Sequence, residues 1–229
     1  MNRALEILQD QVVNCCLCPR LRDHCAEVAR VKRRAYRDQE YWGRPVPPFG
    51  DPRARLLIIG LAPAAHGGNR TGRMFTGDRS GDFLYRALYQ TGFASQPHSV
   101  SRGDGMKLSD VYITATVRCA PPGNKPRPQE FENCRPYLAR ELDLLKHLRV
   151  VVALGRIAFD AYLTILRERG IIRRRAAFSF GHDREHRPAA DSPVLISSYH
   201  PSQQNTSTGK LTAEMLRAVF ERARRLLDV

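Results

Sequence analysis

Four short runs of branched and aliphatic residues stand out from the more polar remainder of the chain. They lie at 55–60 (RLLIIG), 111–118 (VYITATVR), 150–155 (VVVALG) and 193–200 (PVLISSYH), and they predict buried strands. Apolar residues at helical spacing follow the four runs, at 81–91, 129–147, 156–168 and 212–227. Strands that alternate with helices predict an α/β fold with a parallel sheet between helical layers.

Three of the predicted strands lead into long loops. These loops span 61–78, 119–129 and 201–210, and a proline-rich loop at 41–55 precedes the first strand. Ligands of open α/β sheets bind beyond the carboxyl ends of the strands. We therefore expect the three loops to gather on one rim and to carry the chemistry.

The length and net charge of the chain indicate the number of domains and the kind of binding partner. A chain of 229 residues with 42% apolar content predicts one domain over 1–229, with an N-terminal segment at 1–54 and an α/β core at 55–229. The formal charge of +14 predicts a polyanionic partner. Nucleic acid is favoured over a membrane surface, because no apolar run approaches the roughly 20 residues that span a bilayer. The N-terminus has no signal-peptide pattern, so we expect a cytoplasmic, nucleoid-associated protein.

The six cysteines suggest a metal or cluster site, because cytosolic thiols stay reduced. Cys15 and Cys18 form a C-x2-C pair, and Cys119 and Cys134 follow far downstream, separated by fourteen residues. Four thiolates suit zinc or a [4Fe–4S] cluster. Zinc ribbons usually pair two tight C-x2-C knuckles, so the wide second pair favours the cluster.

Alternatives to this ligand set remain open on the sequence alone. Cys16 competes with Cys15 for the same role. Cys25 is either a core thiol or another ligand. Unligated buried cysteines would explain the same residues without any metal.

Four motifs follow one another along the chain: CCLCPRL at 15–21, GLAPAAHGGNRTGRMFTGD at 60–78, RCAPPGNKP at 118–126 and SYHPSQQNTSTGK at 198–210. Taken together, they resemble the uracil-DNA glycosylase superfamily, most closely its fifth, iron–sulfur family of bacteria and archaea. The resemblance covers the chain from residue 15 to about 211. It implies a three-layer α/β/α sandwich around a four-stranded parallel sheet, with a structural rather than redox cluster.

The resemblance also implies an activity. We expect a monofunctional glycosylase that removes uracil, and other deaminated bases, from duplex DNA and leaves an abasic site. The expected partner is double-stranded DNA containing a damaged base, bound by a monomer. A non-catalytic iron–sulfur DNA-binding protein is the alternative, and an electron carrier is disfavoured by the basic surface.

Base binding is the first requirement of this chemistry, because the base must be held outside the stack. Phe75 matches the superfamily's aromatic residue that stacks under the extruded base, although a core role would also explain it. Gly60, Ala62 and Ala64 are the other expected base-binding residues. His200 matches the histidine whose N–H points at the uracil O2, where a donor stabilises the departing base. A structural histidine is the alternative at this strand end.

The water that attacks the sugar needs a second set of residues. Related families place an Asp, Asn or Glu at the exit of the first strand, but this chain has Leu61 and Ala62 there. The resemblance implies Asn124 as the water ligand, with Asp78 nearby. A turn at Asn124 and a helix cap at Asp78 are the structural alternatives.

DNA contacts are expected from the rim loops. The stretch 201–210 resembles the superfamily's insertion loop, and Met74 stands where relatives often have proline. For any single cation, a solvated charge is an equally good explanation. The expected DNA-binding residues are His66, Arg70, Arg73, Lys125, Ser202, Gln203, Gln204 and Lys210.

Overall fold

The computed structural model describes residues 3–228. Within that range six strands form one sheet in the order β1–β3–β2–β4–β6–β5. In chain order the strands are β1 (Phe49–Gly50), β2 (Leu56–Gly60), β3 (Val111–Ala115), β4 (Val150–Leu154), β5 (Arg184–His186) and β6 (Val194–Ser198).

The centre of the sheet confirms the four predicted strands, and its edges correct the expected strand number. β3, β2, β4 and β6 are mutually parallel, with Ile58 opposite both Ile113 and Val152. β1 and β5 add antiparallel edges to β3 and β6. These edge strands have two and three residues, too few for a hydrophobic pattern to reveal.

Helices follow the parallel strands as predicted. The helices are α1 (Arg3–Val13), α2 (Pro19–Val31), α3 (Gly68–Thr71), α4 (Arg79–Gln90), α5 (Pro128–Leu144), α6 (Arg156–Glu168), α7 (Gln203–Ser207) and α8 (Ala213–Leu227). The four predicted helices correspond to α4, α5, α6 and α8. The sequence did not reveal α1 and α2. In addition, α3 and α7 occupy parts of the stretches 61–78 and 201–210, which were expected to be loops.

Alternation along the strands produces the three layers. Leu56 and Ile58 face one side, where they join the core formed with α4 and α8. Leu57 and Ile59 face the other side, against a core contributed by α1, α5 and α6. All five residues of β2 are buried, as expected for a strand covered on both faces.

A third, smaller cluster joins the N-terminal segment to the core. It contains Leu21 and Cys25 of α2, Val117 beyond β3, and Cys134 of α5. The N-terminal segment therefore packs at the carboxyl edge of the sheet, beside the loop that follows β3. No helix within residues 3–228 has the length and apolar character needed to cross a membrane.

Candidate active site

A cavity of about 280 Å³ opens at the carboxyl ends of β2 and β6. This is the rim on which the sequence placed the functional loops. The predicted site residues among its lining are Ala62, Ala64, Phe75, Asp78, Asn124, His200, Ser202 and Gln203. The structure thus brings together residues from three separate loops.

Phe75 forms one wall of the cavity and is held in an unusual conformation. Its φ of +51° lies in the left-handed region, which is uncommon for a bulky residue and marks functional sites. Its ring lies on the end of β2, where a Cβ atom on Gly60 would stand 2.7 Å from Phe75 Cζ. Gly60, expected to bind the base, therefore lies behind the Phe75 ring and makes room for it.

His200 lies opposite, two residues beyond the end of β6. Its ring centroid is 5.9 Å from that of Phe75, with the planes tilted by 33°. Its Cβ packs against Gly155, where a side chain would begin 3.3 Å away. Burial lowers the pKa of His200 to about 4. The imidazole is therefore neutral at pH 7 and has one N–H to donate.

Asp78 both caps a helix and lines the cavity. Its Oδ1 accepts a hydrogen bond from the Gly81 N–H at 2.9 Å, which makes it the N-cap of α4. Burial raises its pKa. Its other oxygen packs on Gly67, where a Cβ would stand 1.9 Å from Oδ2. The structural alternative is thus observed, and the carboxyl group is at the cavity as well.

Asn124 lies at the mouth of the cavity, on a short 3-10 turn at Pro122–Asn124. Its φ is +57°, and its side chain is exposed. The sequence left open that Asn124 only forms a turn. The structure shows both features, since Asn124 lies in a turn and also lines the cavity. An exposed amide at the mouth of a cavity has room for a bound water.

A family model for the uracil DNA glycosylase superfamily matches residues 47–224 of the chain. The chain belongs to this superfamily. The matched range includes each of the four side chains just described.

Three relatives show how far the similarity extends. The type-5 uracil-DNA glycosylase of Thermus thermophilus is 52% identical over 212 residues, covering 93% of each chain. That of Mycobacterium bovis is 51% identical over 216 residues, covering 94% of this chain and 79% of its own. That of Pyrobaculum aerophilum is 49% identical over 214 residues, covering 93% and 89%.

The loop that carries Phe75 in this superfamily member is fixed by a buried ion pair. Arg73 is 4% exposed, and its Nη2 donates to Asp104 at 2.5 Å and to Ser99 Oγ at 2.7 Å. Burial acts to raise the Asp104 pKa, but hydrogen bonds from Arg73 and from backbone N–H groups hold it at about 2. Arg73 was expected to bind phosphate, but its guanidinium is turned inward to support the loop.

Arg70 is committed in the same way. It is 8% exposed, and it donates to the carbonyl oxygens of His66 and Gly77, each at 2.7 Å. Its guanidinium also lies over the Tyr36 ring. These bonds hold the turn before Asp78, and the phosphate contact expected of Arg70 stays a prediction. The sequence alone does not reveal the direction of the Arg70 side chain, because a buried arginine and an exposed one have the same letter.

The other expected DNA-binding residues lie at the rim. Lys125, Gln204 and Lys210 are exposed. Ser202 caps α7, and Gln203 reaches the cavity. His66 is half-buried, with its Nδ1 3.1 Å from the Tyr41 hydroxyl oxygen. These residues leave cationic and amide groups beside the cavity mouth.

Sequence reasoning missed residues that support the site. Gly155 backs His200, and Pro63 and Ser80 line the cavity. Gly155 has a φ of +94°, which strongly favours glycine. Its place at the end of a predicted strand was the available signal, since a glycine there often marks a close approach of another group.

The cysteines expected to be ligands lie close to the site. Cys18, Cys119 and Cys134 are buried in one cluster, and Cys15 is half-buried. The Asn133 amide donates to Cys18 Sγ at 3.3 Å. Cys25 is buried beside Cys119 and was an alternative ligand. Cys16 is exposed.

Two guanidinium N–H groups near these thiols lack a hydrogen-bond acceptor within the described part of the chain. Among residues 3–228, the buried Nη1 of Arg22 and Nε of Arg118 have no hydrogen-bond partner. Arg22 acts electrostatically on Cys119, and Arg118 acts on Cys134. Arg118 is paired with Glu141 through Nη2 at 2.8 Å, so the unsatisfied groups are single N–H donors, and a negatively charged acceptor beside them would satisfy them. Four thiolates around an iron–sulfur cluster supply that negative charge, so the residues fit the group.

Within the described range, no group of three or more His, Cys, Asp or Glu side chains is placed to hold a metal ion. The choice between zinc and a [4Fe–4S] cluster therefore stays a prediction from the cysteine spacing.

Proposed function

We propose that the chain is a monofunctional uracil-DNA glycosylase, which hydrolyses the N-glycosidic bond of uracil in DNA and leaves an abasic site. The observation that carries the proposal is the convergence of Phe75, Asn124 and His200 on one cavity. The superfamily match and the type-5 glycosylases that are about half identical support it. The reaction acts on DNA and belongs to base excision repair.

The base is held by stacking and by close packing. An extruded uracil lies on the Phe75 ring, with Ala62 and Ala64 leaving space on the adjacent wall. The strained backbone of Phe75 and the missing side chain at Gly60 fix the position of that ring against the end of β2. Other deaminated bases of similar size are expected to enter the same cavity.

His200 stabilises the departing base. As the bond between N1 and C1′ lengthens, its electron pair moves onto the uracil and reaches O2. The neutral imidazole donates its N–H to that oxygen without transferring the proton. Because the histidine is uncharged, the donor is present over the whole neutral pH range.

Asn124 and Asp78 handle the water. The Asn124 amide oxygen accepts a hydrogen bond from the water. This bond orients the lone pair of the water oxygen towards C1′, where the new C–O bond forms. The Asp78 carboxylate accepts the proton that the water loses, and burial suits it to do so by raising its pKa. Leu61 and Ala62 provide no base at the strand exit, so the proton acceptor comes from Asp78, and the Asn124 amide contributes orientation.

The proposal includes a [4Fe–4S] cluster held by Cys15, Cys18, Cys119 and Cys134. When bound, it supplies a rigid anionic link between the N-terminal segment and the core, and it has no part in the hydrolysis. Exposed Lys125 and Lys210 at the rim hold phosphates of the duplex, and Gln203 and Gln204 face the space that the flipped nucleotide leaves. A monomer provides all of these residues.

Release of free uracil from a U·G duplex tests the activity. We expect release without strand nicking, slowed about 100-fold or more by His200→Ala and by Asn124→Ala. His147→Ala is the matched control, because His147 is an exposed histidine away from the cavity. Full activity in both site variants would contradict the assignment. Salt-dependent DNA binding without release would instead indicate the non-catalytic alternative.

A further inference from the structure

Arg20 joins the N-terminal segment to the loop that carries Asn124. Its Nε and Nη2 donate to the two carboxylate oxygens of Glu130, each at 2.7 Å. Nη2 also donates to the Lys125 carbonyl oxygen at 3.3 Å. Lys125 directly follows Asn124, so this contact lies one residue from the group proposed to bind water.

Glu130 fixes the downstream end of the same loop. Its Oε2 accepts from the Arg127 N–H at 2.7 Å, which satisfies the backbone donor at the N-cap of α5. The side chain is 7% exposed. Burial acts to raise its pKa, but hydrogen bonds from Arg20 and the Arg127 N–H hold the pKa below its usual range. The carboxylate therefore stays charged and holds both partners at neutral pH.

The tip of the loop depends on such anchors. Gly123 and Asn124 both have left-handed backbones, with φ of +60° and +57°. Their neighbours give little packing: Asn124 and Lys125 are exposed, and a side chain on Gly123 would meet open space among the described residues. Upstream, the loop begins at the buried Cys119. The two ends are thus held by the thiol cluster and by the Arg20–Glu130 pair.

We infer that Arg20 is a positioning residue for the reaction. Through Glu130 and the Lys125 carbonyl it fixes the Asn124 loop at the cavity mouth, so that the bound water stays aimed at the sugar. The bidentate fork of Arg20 matches the Glu130 carboxylate and leaves Nη2 for the carbonyl, a geometry that lysine cannot reproduce. The inference rests on the proposed function. It gives the N-terminal segment, which carries Arg20, a role in the reaction.

A double-mutant cycle between Arg20 and Asn124 tests this inference. Single-turnover uracil release is measured for the unchanged protein, Arg20→Ala, Asn124→Ala and the double variant. We expect Arg20→Ala to slow release about tenfold when Asn124 is present, because small misplacements cost that much or more. With Asn124→Ala already in place, the same change is expected to cost less than about twofold. Arg20→Lys should recover only part of the rate.

Controls separate positioning from general stability. Arg30→Ala removes an arginine from the same helix whose ion pair with Glu27 is exposed, and it should leave release unchanged. Affinity for a duplex with a cleavage-resistant uracil nucleotide should be the same for Arg20→Ala and the unchanged protein. If Arg20→Ala does not fold, Arg20→Lys and Glu130→Gln complete the same cycle.

The outcomes distinguish this inference from the proposed function. Equal fold losses in both backgrounds, or no loss in Arg20→Ala, would overturn the role of Arg20 while leaving the glycosylase intact. Failure of the unchanged protein to release uracil would instead contradict the proposed function itself.

Discussion

The Phe75 ring occupies the space in which a side chain on Gly60 would begin. A Cβ atom there would stand 2.7 Å from Phe75 Cζ and 2.8 Å from Cε2. The Phe75 backbone cannot easily yield, because Gly81 packs against it so closely that a Cβ would stand 1.8 Å from its carbonyl oxygen. Gly60 and Gly81 therefore fix the position of the stacking ring from behind and from the side.

Gly60→Ala is expected to displace the Phe75 ring into the cavity. Uracil release should fall about 10- to 100-fold, since a displacement near 1 Å has effects of this size. Gly103→Ala is the matched control, because a side chain on Gly103 would meet open space among the described residues. Single-turnover release is the measurement, and equal rates for the two variants would contradict this role of Gly60.

The pH dependence of release should reflect a neutral His200. Burial lowers its pKa from the usual 6.5 to about 4, so the N–H donor keeps its charge state from pH 8 down to about 5. A change in rate attributable to His200 should appear only as the pH approaches 4, where the imidazole becomes protonated. The profile is measured at saturating DNA and constant ionic strength. A step near pH 6.5 that disappears in His200→Ala would show that the histidine works protonated.

The same shift has a consequence for stability. Below pH 6.5 the unfolded chain protonates His200, whereas the folded protein does so only near pH 4. The unfolded state thus binds more protons in this window, and stability falls as the pH drops from about 6.5 to 4. His200→Asn should lose less unfolding free energy than the unchanged protein across that window, as measured by denaturant unfolding. Parallel pH curves for the two would contradict the shift.

Asp78→Ser separates the two roles of Asp78. Serine also caps helices, so α4 and the thermal midpoint should be retained within a few degrees. The carboxylate is lost, so uracil release should slow about tenfold or more. Asp78→Ala loses the cap as well and should melt lower than Asp78→Ser. A fully active Asp78→Ser variant would leave Asp78 with the capping role alone.

The sequence predicted the centre of this protein better than its edges. Buried parallel strands such as β2 and β4 form continuous apolar runs, which a pattern reveals directly. β1 and β5 are held by pairing with a neighbour, and that information lies elsewhere in the chain. Phe75, Asn124 and His200 could be placed on one rim because parallel strand ends share an edge.

The pattern of hydrophobic and polar residues does not predict whether a charged side chain in a loop points inward or outward. Arg73 and Lys125 both lie in rim loops, yet Arg73 is buried on Asp104 and Lys125 is exposed. Asp104 lies thirty-one residues from Arg73, and nothing in its local sequence marks the pairing. The support of the active site by Arg20 and Glu130 escaped sequence reasoning for the same reason.

The cysteines give a prediction about colour and stability. With a [4Fe–4S] cluster, the purified protein should absorb broadly in the visible range, and Cys119→Ser or Cys134→Ser should bleach it and lower the thermal midpoint. Cys16→Ser is the matched control, because Cys16 is exposed beside the proposed ligand Cys15. Metal analysis should find iron and sulfide. A colourless protein containing zinc would contradict the cluster.

Arg73 and Lys125 should respond differently to mutation. Arg73→Ala leaves Asp104 buried without its partner, so it should lower the unfolding free energy by about 3–5 kcal/mol, the usual cost of breaking a buried ion pair. Lys125→Ala should leave stability unchanged, because the side chain is exposed. It should instead reduce the slope of log affinity against log salt by about one, since one phosphate contact is lost. Denaturant unfolding and DNA binding at several salt concentrations measure the two effects. If folded Arg73→Ala also had a smaller slope of log affinity against log salt, Arg73 would be a DNA contact after all.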